Sequence, residues 1–162
     1  MDILAHGLWT YAIFHKTKFP KLATLFGVLS DLVTFFPFFI LRAGINHFSR
    51  PTIYEIPSYV FNLYNFTHSL VVAAFIILLI TIITRKFYIF LLGWPLHILI
   101  DIPTHEAAFF PTPFLYPIFN LKINGISWAR PEFLAINYLT LVFVYSFIVG
   151  NKYARKSIRT NK

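Results

Sequence analysis

The chain is predicted to be all-α: a polytopic membrane helix bundle of four or five helices with a Pro-rich extracytoplasmic loop. Three observations predict this. First, 57% of its 162 residues are hydrophobic and only 12% are charged, against about 25% charged in an ordinary soluble domain; mean hydropathy is +0.67. Second, the apolar residues fall in long runs almost free of Asp, Glu, Lys and Arg, as spanning helices of about 20 residues require. Third, the 14 Lys and Arg sit in short clusters between those runs and in the tail, the pattern of topology signals. The net charge of +8 therefore marks loops and not a nucleic-acid-binding face. The expected partner is the lipid bilayer, and no nucleic acid. Cysteine is absent, which excludes disulfides and thiolate ligands.

The elements follow as one domain over residues 1–162. Ile3–His15 is apolar but short, so it crosses tilted, crosses in part, or lies in the interface; Asp2 is placed to cap it. Leu22–Leu41 is a span, and Asp31 is its one formal charge. Tyr59–Thr84 reads as one long helix, and Arg85-Lys86 as a tight turn. Phe87–Ile102 is the next span, bent by Pro95 and ended by Pro103. Phe133–Val149 is the last, closed by Gly150, and a basic tail covers 150–162. Between the last two spans, Pro103, Pro111, Pro113, Pro117 and Pro131 rule out a continuous helix. A connection of that length is a lid or binding loop.

Orientation comes from counting cations. Lys16, Lys18, Lys21, Arg85, Lys86 and five in the tail fall on one side, and Arg42, Arg50, Lys122 and Arg130 on the other. The positive-inside rule makes the first side cytoplasmic, with the C-terminus inside and the Pro-rich loop outside. That topology places His6, Asp31, His68, His97, Asp101 and His105 in the outer half. His15 and His47 fall among basic or loop residues and read as interfacial.

An ionised carboxylate in hydrocarbon costs several kcal/mol, and the chain has only three Asp and three Glu. Asp31 and Asp101 therefore call for compensation. His97 and Asp101 are four apart, on one helix face. Imidazole and carboxylate are the usual ligands of zinc where cysteine is missing. Asp31, His68, His97 and Asp101 are the expected ligands of a divalent metal, zinc by this chemistry. His6 and His105 are placed to complete a second metal or to orient water and substrate. Glu106, the acid next to the cluster in sequence, is the expected general base, with His105 beside it. Thr67 and Ser69 support the ligands.

Taken in order, these residues resemble a known family, the LexA-binding, inner-membrane-associated, metal-dependent hydrolases of bacteria. The resemblance rests on His6 in an apolar helix, Asp31, Thr67-His68-Ser69, His97 with Asp101, and Leu115-Tyr116-Pro117, and covers roughly residues 3 to 120. Where the family has Pro-Asp-x-Asp, this chain reads Ser30-Asp31-Leu32-Val33, with one acid in place of two. Where it often has His-Arg-Gly before Thr-His-Ser, this chain has Leu63-Tyr64-Asn65-Phe66. The resemblance implies a metal-dependent hydrolase in the bacterial cytoplasmic membrane; separately, the depth of the site makes a lipid or lipid-linked phosphoester the natural substrate. The alternatives are a proton or metal-ion carrier, or a non-catalytic membrane protein with a vestigial site.

Overall fold

The structure is a computed structural model that describes residues 1–44 and 52–160, with side chains through residue 153. His47 and Arg50 lie outside the described residues. Six helices form, with no strand among the described residues: α1 Ile3–Phe14, α2 Pro20–Gly44, α3 Ser58–Thr67, α4 Leu70–Thr84, α5 Gly93–Thr104 and α6 Pro131–Thr160. Asp2 caps α1, its Oδ1 accepting from the Ala5 amide at 2.9 Å.

By length and composition α2 and residues 131–153 of α6 can each cross a membrane, and α3 with α4 makes a third span if the bent pair counts as one. The expected four or five spans therefore resolve differently. At 12 residues, α1 is only about 18 Å long. The fourth expected span is also short: a 3-10 turn at Ile89–Leu92 leads into the 12 residues of α5.

Three expected boundaries move. The helix expected over Tyr59–Thr84 is broken at His68 and Ser69 and bent by 59°. The break is built locally: Ser69 leaves helical geometry and caps α4 through its Oγ, which accepts from the Val72 amide at 3.2 Å. The Trp94 indole donates to the Thr67 carbonyl at 2.6 Å, so a backbone acceptor released by the break is satisfied. α5 runs through Pro103 to Thr104, and the His105 amide still closes the last turn on the Asp101 carbonyl at 3.1 Å. α6 continues through Gly150 to Thr160; one glycine costs a helix only about 1 kcal/mol.

α2 is the central helix, with α1, α3 and α5 packed on it. Glycine decides how close they come. A Cβ on Gly93 would run into the Ala23 carbonyl of α2, and one on Gly27 into Thr10 of α1. α6 docks on α1 through polar contacts: Trp9 Nε1 donates to Asn137 Oδ1 at 2.8 Å, Tyr138 to Asp2 Oδ1 at 2.8 Å, and Tyr145 to the Leu8 carbonyl at 2.9 Å. Outward faces carry exposed Phe75, Ile82, Ile83, Leu139, Phe143 and Phe147, an apolar surface of the kind that suits a bilayer. Residues 105–130 form no regular helix, yet they are tied down. The amides of Gly125, Ile126 and Trp128 donate to the carbonyls of His105, Pro103 and Thr104 at 2.8, 2.9 and 3.0 Å. Phe110, Thr112 and Pro113 of this segment are buried, Phe110 within the cluster of Phe38, Ile56, Val60 and Tyr64.

Candidate metal centre

Each helix brings its polar residue inward by a local device. His97 and Asp101 stand one turn apart on α5. The close approach at Gly93 presses that helix against α2, so that His97 Nδ1 reaches the Gly27 carbonyl at 2.8 Å. Asp31 comes from the middle of α2. His68 sits at the break between α3 and α4, where its ring stacks on Tyr64 with centroids 3.9 Å apart. His6 arrives on α1 and stacks on His97 at 3.7 Å.

Asp31, His68, His97 and Asp101 present ligand atoms that all lie within 4.8 Å of one another. His68 Nε2 and His97 Nε2 are 3.1 Å apart. Asp31 Oδ1 is 3.3 Å from His68 Nε2 and 3.7 Å from His97 Nε2. Asp101 Oδ2 is 3.2 Å from His97 Nε2 and 3.6 Å from His68 Nε2. A tetrahedron with zinc-type bond lengths has edges of about 3.3–3.5 Å. The five separations fall around that value.

The hydrogen bonds say where the protons are. A carbonyl only accepts, so His97 carries its hydrogen on Nδ1, toward Gly27. His68 Nδ1 faces the Tyr64 carbonyl at 3.2 Å and Thr67 Oγ1 at 3.0 Å. Thr67 donates its own hydrogen to the Leu63 carbonyl at 2.9 Å, so it too accepts from His68. In the neutral rings both Nε2 atoms are then bare lone pairs, pointing at each other across 3.1 Å. Beside them Asp101 Oδ2 is buried without a hydrogen-bond partner. Two lone pairs and an unpartnered carboxylate oxygen in one dry space repel one another, and a buried unsatisfied acceptor alone costs about 1–3 kcal/mol. A cation among them removes both penalties. The donor set is nitrogen and oxygen only, which suits a zinc-class divalent ion. The backbone partners of the two Nδ1 atoms are the kind that orient metal-bound histidines.

The cluster is closed on most sides. His6, His68 and His97 are fully buried and Asp101 is 1% exposed. The Asp31 side chain keeps 12% exposure, so solvent approaches from its side.

The other residues singled out in the sequence divide. His6 and His105 join the cluster through Asp101 Oδ1, at 2.8 and 3.3 Å. Thr67 and Ser69 are supports, Ser69 Oγ also donating to the Tyr116 carbonyl. Glu106 is adjacent to His105 in sequence but not drawn in: its carboxylate makes no hydrogen bond or ion pair with the cluster. His105 turns inward from the end of α5, whereas Glu106 follows it into the loop. His15 is elsewhere, its Nδ1 against the Ala12 carbonyl at 2.6 Å.

Tyr64, Gly27, Phe110 and Met1 were not legible as part of the site. Tyr64 donates to the Phe110 carbonyl at 2.9 Å, and that carbonyl also accepts from His105 Nδ1 at 2.8 Å. Phe110 adopts φ 49°, a left-handed conformation uncommon for a bulky residue, and thereby aims its carbonyl at both. The Met1 nitrogen hydrogen-bonds Asp101 Oδ1 and lies 3.0 Å from His105 Nε2. Backbone groups carry no residue-type signal; for Tyr64 the signal was its position four before His68. No known protein family, curated protein or solved structure matches this chain.

Proposed function

We propose that this protein is a membrane-bound, metal-dependent hydrolase of the bacterial cytoplasmic membrane, with a zinc ion held by Asp31, His68, His97 and Asp101. The observation that carries it is the pair of facing Nε2 lone pairs, 3.1 Å apart, flanked by two carboxylates in a buried space. The order of these residues, by which the chain resembles the LexA-binding metal-dependent hydrolases, supports the same reading. When bound, such an ion would acidify water and polarise a scissile group; with four protein ligands in place, it could do so by expanding to a fifth position.

The chain's own residues do the rest. His97 and His68 keep their Nδ1 hydrogens on carbonyls and so offer Nε2 in one fixed orientation. His6 and His105 hold Asp101 from the other side. Asp31, with its exposed edge, faces the incoming substrate and is placed to hold a proton from water. Lipid-facing helices around the cluster favour a lipid or lipid-linked phosphoester. Its hydrolysis joins a water oxygen to phosphorus, breaks the ester P–O bond and leaves one water proton on the departing alcohol. The cation count supports a cytoplasmic C-terminus and an outward-facing site.

A carrier for protons or metal ions would need a polar route through the other half of the bundle. Thr81 and Ser146 there donate to carbonyls of their own helices, both at 2.8 Å, and Tyr145 donates to Leu8. These groups are spent, which favours the hydrolase.

The test is elemental analysis of detergent-purified protein after zinc reconstitution, followed by phosphate release from lipid phosphoesters in mixed micelles. Stoichiometric metal and turnover that disappears in His97→Ala support the proposal. A protein that holds no metal after reconstitution refutes it.

A further inference from the structure

We infer that Asp101 bridges two cation positions, its Oδ2 belonging to the four-ligand centre and its Oδ1 to a second position shared with His6 and His105. This rests on the reading of the first centre as a metal site. The two oxygens face different neighbours: Oδ2 looks to His97 and His68, while Oδ1 looks to His6 Nε2 at 2.8 Å and His105 Nε2 at 3.3 Å.

His105 is the informative group. It donates from Nδ1 to the Phe110 carbonyl at 2.8 Å, and Phe110 is held in its unusual conformation with Tyr64 on the same carbonyl. A neutral His105 ring therefore turns an Nε2 lone pair, not a hydrogen, toward an anionic oxygen. Two electron-rich atoms in that arrangement call for positive charge between them. In this structure the Met1 ammonium supplies that charge, paired with Asp101 Oδ1 and 3.0 Å from His105 Nε2; a divalent cation at the second position would take its place. At His6, a cation would take the place of the hydrogen shared with Oδ1, which would pass to the buried, partnerless Nδ1.

Two imidazoles and one carboxylate are a ligand set found in catalytic zinc sites, where a further position stays open for water or substrate. The inferred occupant is a second divalent cation. A carboxylate shared by two ions also explains why one aspartate is surrounded by four histidines. For a phosphoester, paired cations hold the attacking and the leaving oxygens together.

The test uses the full chain in detergent, stripped with chelator and titrated with Mn2+. Bound metal is counted after desalting, and electron paramagnetic resonance reports coupling between ions. Two equivalents with an exchange-coupled signal are expected. His105→Asn and His6→Gln should each fall to one uncoupled equivalent. If the fully buried His6→Gln fails to fold, His105→Asn, at the cluster's edge, carries the test. One equivalent in the wild type, lost in His97→Ala but kept in His105→Asn, overturns the second position and leaves the first intact. Two uncoupled equivalents indifferent to both variants overturn it as well. No bound metal in the wild type overturns both readings.

Discussion

Removing His97 tests whether the four inward-facing groups act as one unit. His97 Nε2 lies 3.1 Å from His68 Nε2 and 3.2 Å from Asp101 Oδ2, so it sits at the centre of the ligand set. Changing a residue that merely orients a ligand lowers metal affinity about 10–100-fold. Losing a ligand itself should cost at least roughly 100-fold, about 2.8 kcal/mol. Asp101→Ala removes the neighbouring corner of the same tetrahedron and should cost a similar amount. Ligands of one ion are strongly coupled, so the double variant should be far less than the product of the two losses. The assay is competition for zinc against a chromophoric chelator, with His15→Ala as control. His15 makes its hydrogen bond to Ala12, remote from the cluster, and should change affinity little. Independent, multiplying losses in the double variant would refute the shared site, as would an effect of His15→Ala equal to that of His97→Ala.

Zinc should stabilise the wild type against thermal unfolding in detergent by about 2.7 kcal/mol at a free concentration 100 times its dissociation constant; His97→Ala should lose most of this gain, and chelator should reverse it. Gly93→Ala should push α5 from α2, because its Cβ meets the Ala23 carbonyl; a loss of about 1–3 kcal/mol in stability and weaker zinc binding are expected by melting and titration. Tyr64→Phe removes the hydrogen bond to the Phe110 carbonyl while keeping the ring on His68, so stability should fall by about 1 kcal/mol with folding intact. Labelling of cysteines introduced at Asn120 and Lys152 in intact cells should modify the first from outside and not the second; the reverse pattern would overturn the topology.

Several features of this protein were legible in its residues alone. Apolar runs without charge dictate helices in a bilayer, because lipid leaves no other partner for the backbone. The i, i+4 spacing of His97 and Asp101 dictates a shared helix face, and both residues do turn inward together. That Asp31 and His68 join them could be argued from the cost of burying each one, since isolated polar groups in hydrocarbon seek one another. The tertiary structure decided the rest. Tyr59–Thr84 is apolar throughout and reads as one helix; the break at His68 exists because Ser69 caps a new helix and Trp94, distant in sequence, satisfies the freed Thr67 carbonyl. Adjacency in sequence suggested Glu106, but direction at a helix end is set by the backbone, which turns His105 inward and leads Glu106 into the loop. The hydrogen that makes each Nε2 a bare lone pair is fixed by carbonyls of Gly27, Tyr64 and Phe110. Every residue type owns such a carbonyl, so only the folded arrangement tells which ones reach a histidine.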